Sequence, residues 1–99
     1  MNLKIRALHF DADKKLEDFI TKKITKLSDK HDNITDIDVV LKLDNSQDRE
    51  NKITEIKILA KGSEFFSKKQ SASFEESTDV VAEALRRQLK KHKEKLIGR

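Results

Sequence analysis

The 99-residue sequence has no cysteine, no proline, no tryptophan and no tyrosine, and only two glycines. Without cysteine, neither a disulfide framework nor a thiolate metal site is available. Two glycines are too few for a glycine-rich phosphate loop. No apolar run approaches the ~18 residues that a membrane-spanning helix requires. The start, MNLKIRALHF, alternates charged and apolar residues and never forms the apolar core of a secretory signal. A soluble, cytoplasmic chain is the expectation. The length suits one domain over residues 1–99. A chain of this size hides only about 60–65% of its unfolded surface. It has room for a sheet and two helices, not for two lobes around a cleft.

Charge is what the sequence has in abundance. Lysine and arginine number 22 against 18 acids, a net charge of +4. The excess is local. Residues 84–99 carry seven basic side chains (Arg86, Arg87, Lys90, Lys91, Lys93, Lys95 and Arg99) against the single acid Glu94, a surplus of +6. The remainder, with fifteen basic and seventeen acidic residues, sums to −2. Such clustering suits a polyanionic partner better than a uniform excess would.

Periodicity supplies the scaffold. LKIRAL (3–8) places Leu3, Ile5 and Ala7 on one side and Lys4 and Arg6 on the other, a strand with one buried face. After HFDAD, the stretch 14–31 repeats Leu16, Ile20, Ile24 and Leu27 at helical spacing, with Asp13 placed to cap the first turn. Residues 34–44 alternate Ile37, Val39, Leu41 and Leu43 against Asp38, Val40 and Lys42, a second strand. A polar connection (45–51) leads to strands at 52–60 and 63–70, joined across Lys61-Gly62. From Ser71–Ser73 almost to Gly98 a long helix aligns Phe74, Thr78, Val81, Leu85, Leu89, His92 and Leu96. Ser73 and Glu76 fit a capping box. The order β-α-β-β-β-α predicts an α+β two-layer sandwich, an antiparallel-rich four-stranded sheet with both helices on one face.

The outward faces of those helices carry the candidate site. On the first, Lys15, Lys22 and Lys26 form a ridge, Lys23 and Lys30 lie nearer the apolar edge, and Glu17 and Asp18 turn away. On the second, Arg86, Arg87, Lys90 and Lys91 oppose the Leu85 stripe, with Lys93 and Lys95 on its flanks. Two such ridges side by side make a groove or plate of positive potential suited to phosphate diesters. A merely solvated lysine-rich face is the plainer alternative. Phe65 and Phe66 are adjacent on one strand, so one faces away from the helices. No aromatic array of the kind that reads single-stranded bases is present, so backbone and shape recognition of RNA is expected.

Other chemistry finds little support. HFDAD contains the Asp-x-Asp of phosphoryl-transfer enzymes, but Asp13 is accounted for as a cap and Asp11 as a turn residue. His9, His31 and His92 show no metal spacing. Ser28 and Ser67 lack a base and an oxyanion hole. No catalytic site, metal or cofactor is expected.

Arg87, Gln88, Leu89, Lys91, His92, Lys93, Lys95 and Leu96 match, position by position, the Arg-Gln-Leu-x-Lys-His-Lys-x-Lys-Leu pattern of the ribosome hibernation promoting factor family, also known as ribosome-associated inhibitors and sigma-54 modulation proteins. The chain resembles this family over residues 1–97. Leu16, Phe19, Lys23, Lys26 and Leu27 follow the family's first helix, VVLK (39–42) its second strand, and Asp79 an acid early in its last helix. The sequence departs at Phe74-Glu75-Glu76-Ser77-Thr78-Asp79, where many relatives have a Met-Tyr-Ala-Ala-Ile-Asp type stretch. The resemblance implies a fold similar to double-stranded RNA-binding domains. It further implies binding to the small ribosomal subunit where mRNA and tRNA would lie, with basic helix faces on ribosomal RNA. Occupancy itself then silences idle ribosomes in stress or stationary phase. The implied state off the ribosome is a monomer, without the dimerising domain of longer members. A general binder of structured RNA or DNA is the alternative.

Overall fold

The computed structural model describes residues 2–31, 33–45 and 49–97, the last three as backbone alone. Its elements are β1 (Asn2–Ala7), α1 (Lys14–Ser28), β2 (Ile34–Leu43), β3 (Lys52–Ala60), β4 (Ser63–Ser71) and α2 (Phe74–Ile97). They form one four-stranded sheet in the order β1-β2-β3-β4. β1 runs parallel to β2, with α1 as the crossover that a parallel pair requires, and the other two pairs are antiparallel. The fold is the α+β sandwich that the periodicities predict.

Both helix starts follow from their capping residues. Asp13 is extended (φ −76°, ψ 166°) and its carboxylate accepts the Leu16 N–H at 2.8 Å. Ser73 Oγ accepts the Glu76 N–H at 3.1 Å, while Glu76 Oε1 accepts from the Ala72 N–H at 3.2 Å. The box therefore reaches one residue further back than its usual reciprocal form. In the β3–β4 loop, Ala60 faces Ser63 and Gly62 takes φ +78°, a left-handed conformation that costs glycine no Cβ clash.

Leu16, Ile20, Ile24 and Leu27 of α1 meet Ile37, Val39 and Leu41 of β2, Ile56 and Ile58 of β3, and Phe74, Val81, Leu85 and Leu89 of α2 in one core. Burying each such side chain contributes about 1.5–3 kcal/mol. Phe10 stacks on Phe74 at 5.1 Å, which ties the β1–α1 connection to the first turn of α2. Leu43 departs from the inward alternation expected of it and is 43% exposed. It lies at the end of β2, two residues past the last pairing with β1 at Leu41.

A second device seats α2. Thr54, Ser77 and Thr78 are fully buried where β3 meets the helix. Thr54 Oγ1 lies 2.6 Å from Ser77 Oγ and 3.2 Å from Thr78 Oγ1, and Ser77 also donates to the Phe74 carbonyl at 3.2 Å. Thr54→Val keeps the shape but strips both hydroxyls of their shared partner. A loss of about 1–3 kcal/mol is expected in urea unfolding, the range for a buried polar group left unpaired.

Candidate nucleic-acid interface

The amphipathic stripes that seat α1 and α2 on the sheet leave a groove between their outer flanks. It measures about 360 Å³ and is lined by Lys23, Lys26, Leu27 and Lys30 from α1 and by Asp79, Ala82, Glu83 and Arg86 from α2. Lys23 Nζ, which sits 5.6 Å above the Phe19 ring, bridges the helices to Asp79 at 2.7 Å. Arg86 grips Glu83 with two prongs, Nε to Oε1 at 3.0 Å and Nη2 to Oε2 at 2.6 Å. Arg87 approaches the same carboxylate at 4.0 Å. The hydrogen bond from Arg86 holds the Glu83 carboxyl below its ordinary range, and Glu83 raises Arg86 in return.

The expected cations therefore fall into distinct groups. Lys23 and Arg86 are committed to carboxylates. Lys26 and Lys30 line the groove, and Lys90, Lys91 and Lys93 stand exposed on α2. None of these five has an ion pair among the described residues. Lys15 and Lys22 line a separate hollow on the outer flank of α1, together with Asp18, Phe19 and Thr21. Asp18 thus lies beside the lysine ridge rather than turned away from it, and pairs with Lys14 at 3.5 Å. The Lys95 and Leu96 side chains lie outside the described residues.

The topology gathers the free cations at one end. β2 begins just after α1, and its first residue, Ile34, pairs with Ala60 beside the Lys61–Gly62 turn. His92 of α2 reaches the same end, edge-on to Phe65 at 5.3 Å and with Nε2 3.4 Å from Ser63 Oγ. Both helices therefore point their C-terminal ends there, bringing Lys26, Lys30, Lys90, Lys91 and Lys93 together. The earlier part of α2 carries Glu75, Glu76, Asp79 and Glu83 and no base. Acid-to-base polarity in this direction complements the helix dipole. The helix-pair surface is thus graded, with its acids toward the start of α2 and its bases toward the C-terminal ends of both helices. Reading α2 only for its bases overlooks Glu83. Its spacing of three from Arg86 and four from Arg87 is the signal that points to it.

Of the adjacent phenylalanines, Phe65 faces the helices and Phe66 faces outward, 49% exposed. Phe66 borders a shallow hollow on the open side of the sheet with Arg6, Asp38, Val40, Glu55 and Lys57. Among the described residues no group of three His, Asp or Glu is placed to hold a metal ion. No helix among them is long and apolar enough to cross a membrane.

Four strands backed by two helices with a cationic outer end define an α+β sandwich with a surface suited to polyanions. The chain belongs to the family described as Sigma 54 modulation protein / S30EA ribosomal protein, whose model matches residues 3–97. It is 28% identical over 95 residues to the ribosome hibernation promoting factor of Pseudomonas putida, covering 96% of this chain and 89% of that one. Its fold is shared with a ribosomal subunit interface protein from Coxiella burnetii, at a TM-score of 0.83 and 20% identity, covering 94% of this chain and 98% of the other. The N-terminal domain of Thermus thermophilus Protein Y is similar at a TM-score of 0.79 and 22% identity, covering 93% and 99%.

Proposed function

We propose that this protein is a ribosome hibernation factor that binds the small ribosomal subunit through its basic helix faces and occludes the path of mRNA and tRNA. The observation that carries this reading is the set of lysines without an ion pair among the described residues, Lys26, Lys30, Lys90, Lys91 and Lys93, gathered at one end of paired helices in a chain of this family. Arg87 adds to the set, Lys95 continues it along the sequence, and Lys15 and Lys22 extend the positive field over the flank of α1. Lys23 and Arg86 border the site and hold its carboxylates in place. The partner is ribosomal RNA with its nearby proteins, bound by backbone and shape. Binding of this kind requires no cofactor and no reaction, because occupancy alone excludes a second polyanion from the same channel.

Co-sedimentation with purified small subunits tests the proposal. Binding is expected at 50 mM salt and is expected to weaken about 10³-fold by 200 mM if about six phosphates are neutralised. Labelled mRNA and tRNA are expected to leave the subunits as occupancy rises. Absence of binding at low salt, or complete displacement by bulk duplex RNA, would refute the assignment.

A further inference from the structure

The occlusion reading leaves the two carboxylates in the groove unexplained. Glu83 and Arg86 are both well exposed, at 48% and 43%, so neither needs the other to offset burial. Water would serve an exposed guanidinium equally well. Glu83 instead fills the planar fork of Arg86 with two oxygens, the same geometry that a phosphate would adopt there. One helical turn back, Asp79 holds Lys23 across the groove. A phosphate backbone entering between the helices beside Asp79 and Glu83 therefore meets occupied cations and two negative charges. Beyond Glu83, toward the C-terminal ends of the helices, it meets free lysines.

We infer that Glu83 is a specificity-determining residue: by occupying Arg86 it bars phosphate from the part of the groove that it shares with Asp79 and fixes where along α2 an RNA backbone sits. The inference rests on the ribosome reading of this surface and adds a selective element to it. A generic duplex has no preferred position and takes any register that offers uncompensated charge. Closing that part of the groove removes such registers while leaving the basic end, with Lys26 and Lys30, open. Discrimination then comes from a built-in repulsion as well as from attraction.

The test uses the full chain and its Glu83→Gln form, each titrated with small ribosomal subunits and with a random-sequence RNA duplex at several salt concentrations. For the duplex, affinity is expected to rise roughly three- to tenfold and the salt slope to steepen by about 0.9, the signature of one added phosphate contact. Subunit affinity is expected to change less than about twofold, so that the ratio of the two falls. In an Arg86→Gln background the same substitution should have a much smaller effect, because only the 4.0 Å approach of Arg87 then remains to be released. A purely structural role for Glu83 would move neither the slope nor this background dependence. Equal changes on both ligands, an unchanged duplex affinity, or an effect undiminished by the loss of Arg86 would each overturn the inference while leaving ribosome binding intact. A wild-type chain that ignores subunits at 50 mM salt would overturn the proposed function and this inference with it.

Discussion

Joint replacement of Arg87, Lys90 and Lys91 by glutamine is expected to weaken binding to small subunits on the order of 10²-fold at 0.15 M salt. The magnitude follows from counterion release. Each phosphate contact contributes a slope of about 0.9 in log affinity against log salt, so three lost contacts flatten the slope by about 2.7. The binding curves of the variant and the parent should therefore converge as salt approaches about 1 M. Fold should not be at issue. Lys90 and Lys91 are exposed without an ion pair among the described residues, and Arg87 makes only the 4.0 Å approach to Glu83. Glutamine matches lysine and arginine closely in helix propensity. Sedimentation across a salt series, with circular dichroism as the control, checks both halves. Parallel curves displaced by a constant factor would mean that these residues do not neutralise phosphates.

The largest effect on stability is expected from Leu85→Ala. Leu85 is fully buried in the core that α2 shares with the sheet and α1. Truncation removes apolar surface and leaves a cavity, a combined loss of about 2–5 kcal/mol. Set against a total of about 5–15 kcal/mol for a domain of this size, that is a large fraction. With a urea dependence of about 1–3 kcal/mol/M, the unfolding midpoint should fall by roughly 0.7–5 M at unchanged slope. A loss below about 1 kcal/mol would mean that the helix is not seated as described.

Much of this architecture was legible in the chain because its periodicities are clean. Leu16, Ile20, Ile24 and Leu27 admit only one helical face, and the Asp13 and Ser73 caps mark where each helix begins. Period two announced the strands, including β4, whose polar later residues weaken the signal. The pairing of β1 with β2, and in particular its end at Leu41, was not legible, because register is a property of two segments and alternation belongs to one. Leu43 accordingly looked buried. The candidate site was legible in its bases and not in its acids. Lys23 and Asp79 are far apart in sequence and meet only because α1 and α2 lie side by side. That juxtaposition also decides that Lys23 is occupied, whereas Lys26 and Lys30 have no ion pair among the described residues. The outward turn of Phe66 needed the strand's actual pairing, since alternation alone allowed either ring to face the helices.

The hydroxyl trio of Thr54, Ser77 and Thr78 has a consequence well away from its own location. Apolar side chains let a helix slide or roll on a sheet at little expense, whereas directional bonds peg it at one height and one azimuth. Lys93 follows Ser77 by sixteen residues, about 24 Å along the helix axis. That uncharged, buried peg is thus the datum from which the distant lysines are measured, and loosening it would blur their aim without altering a single charge.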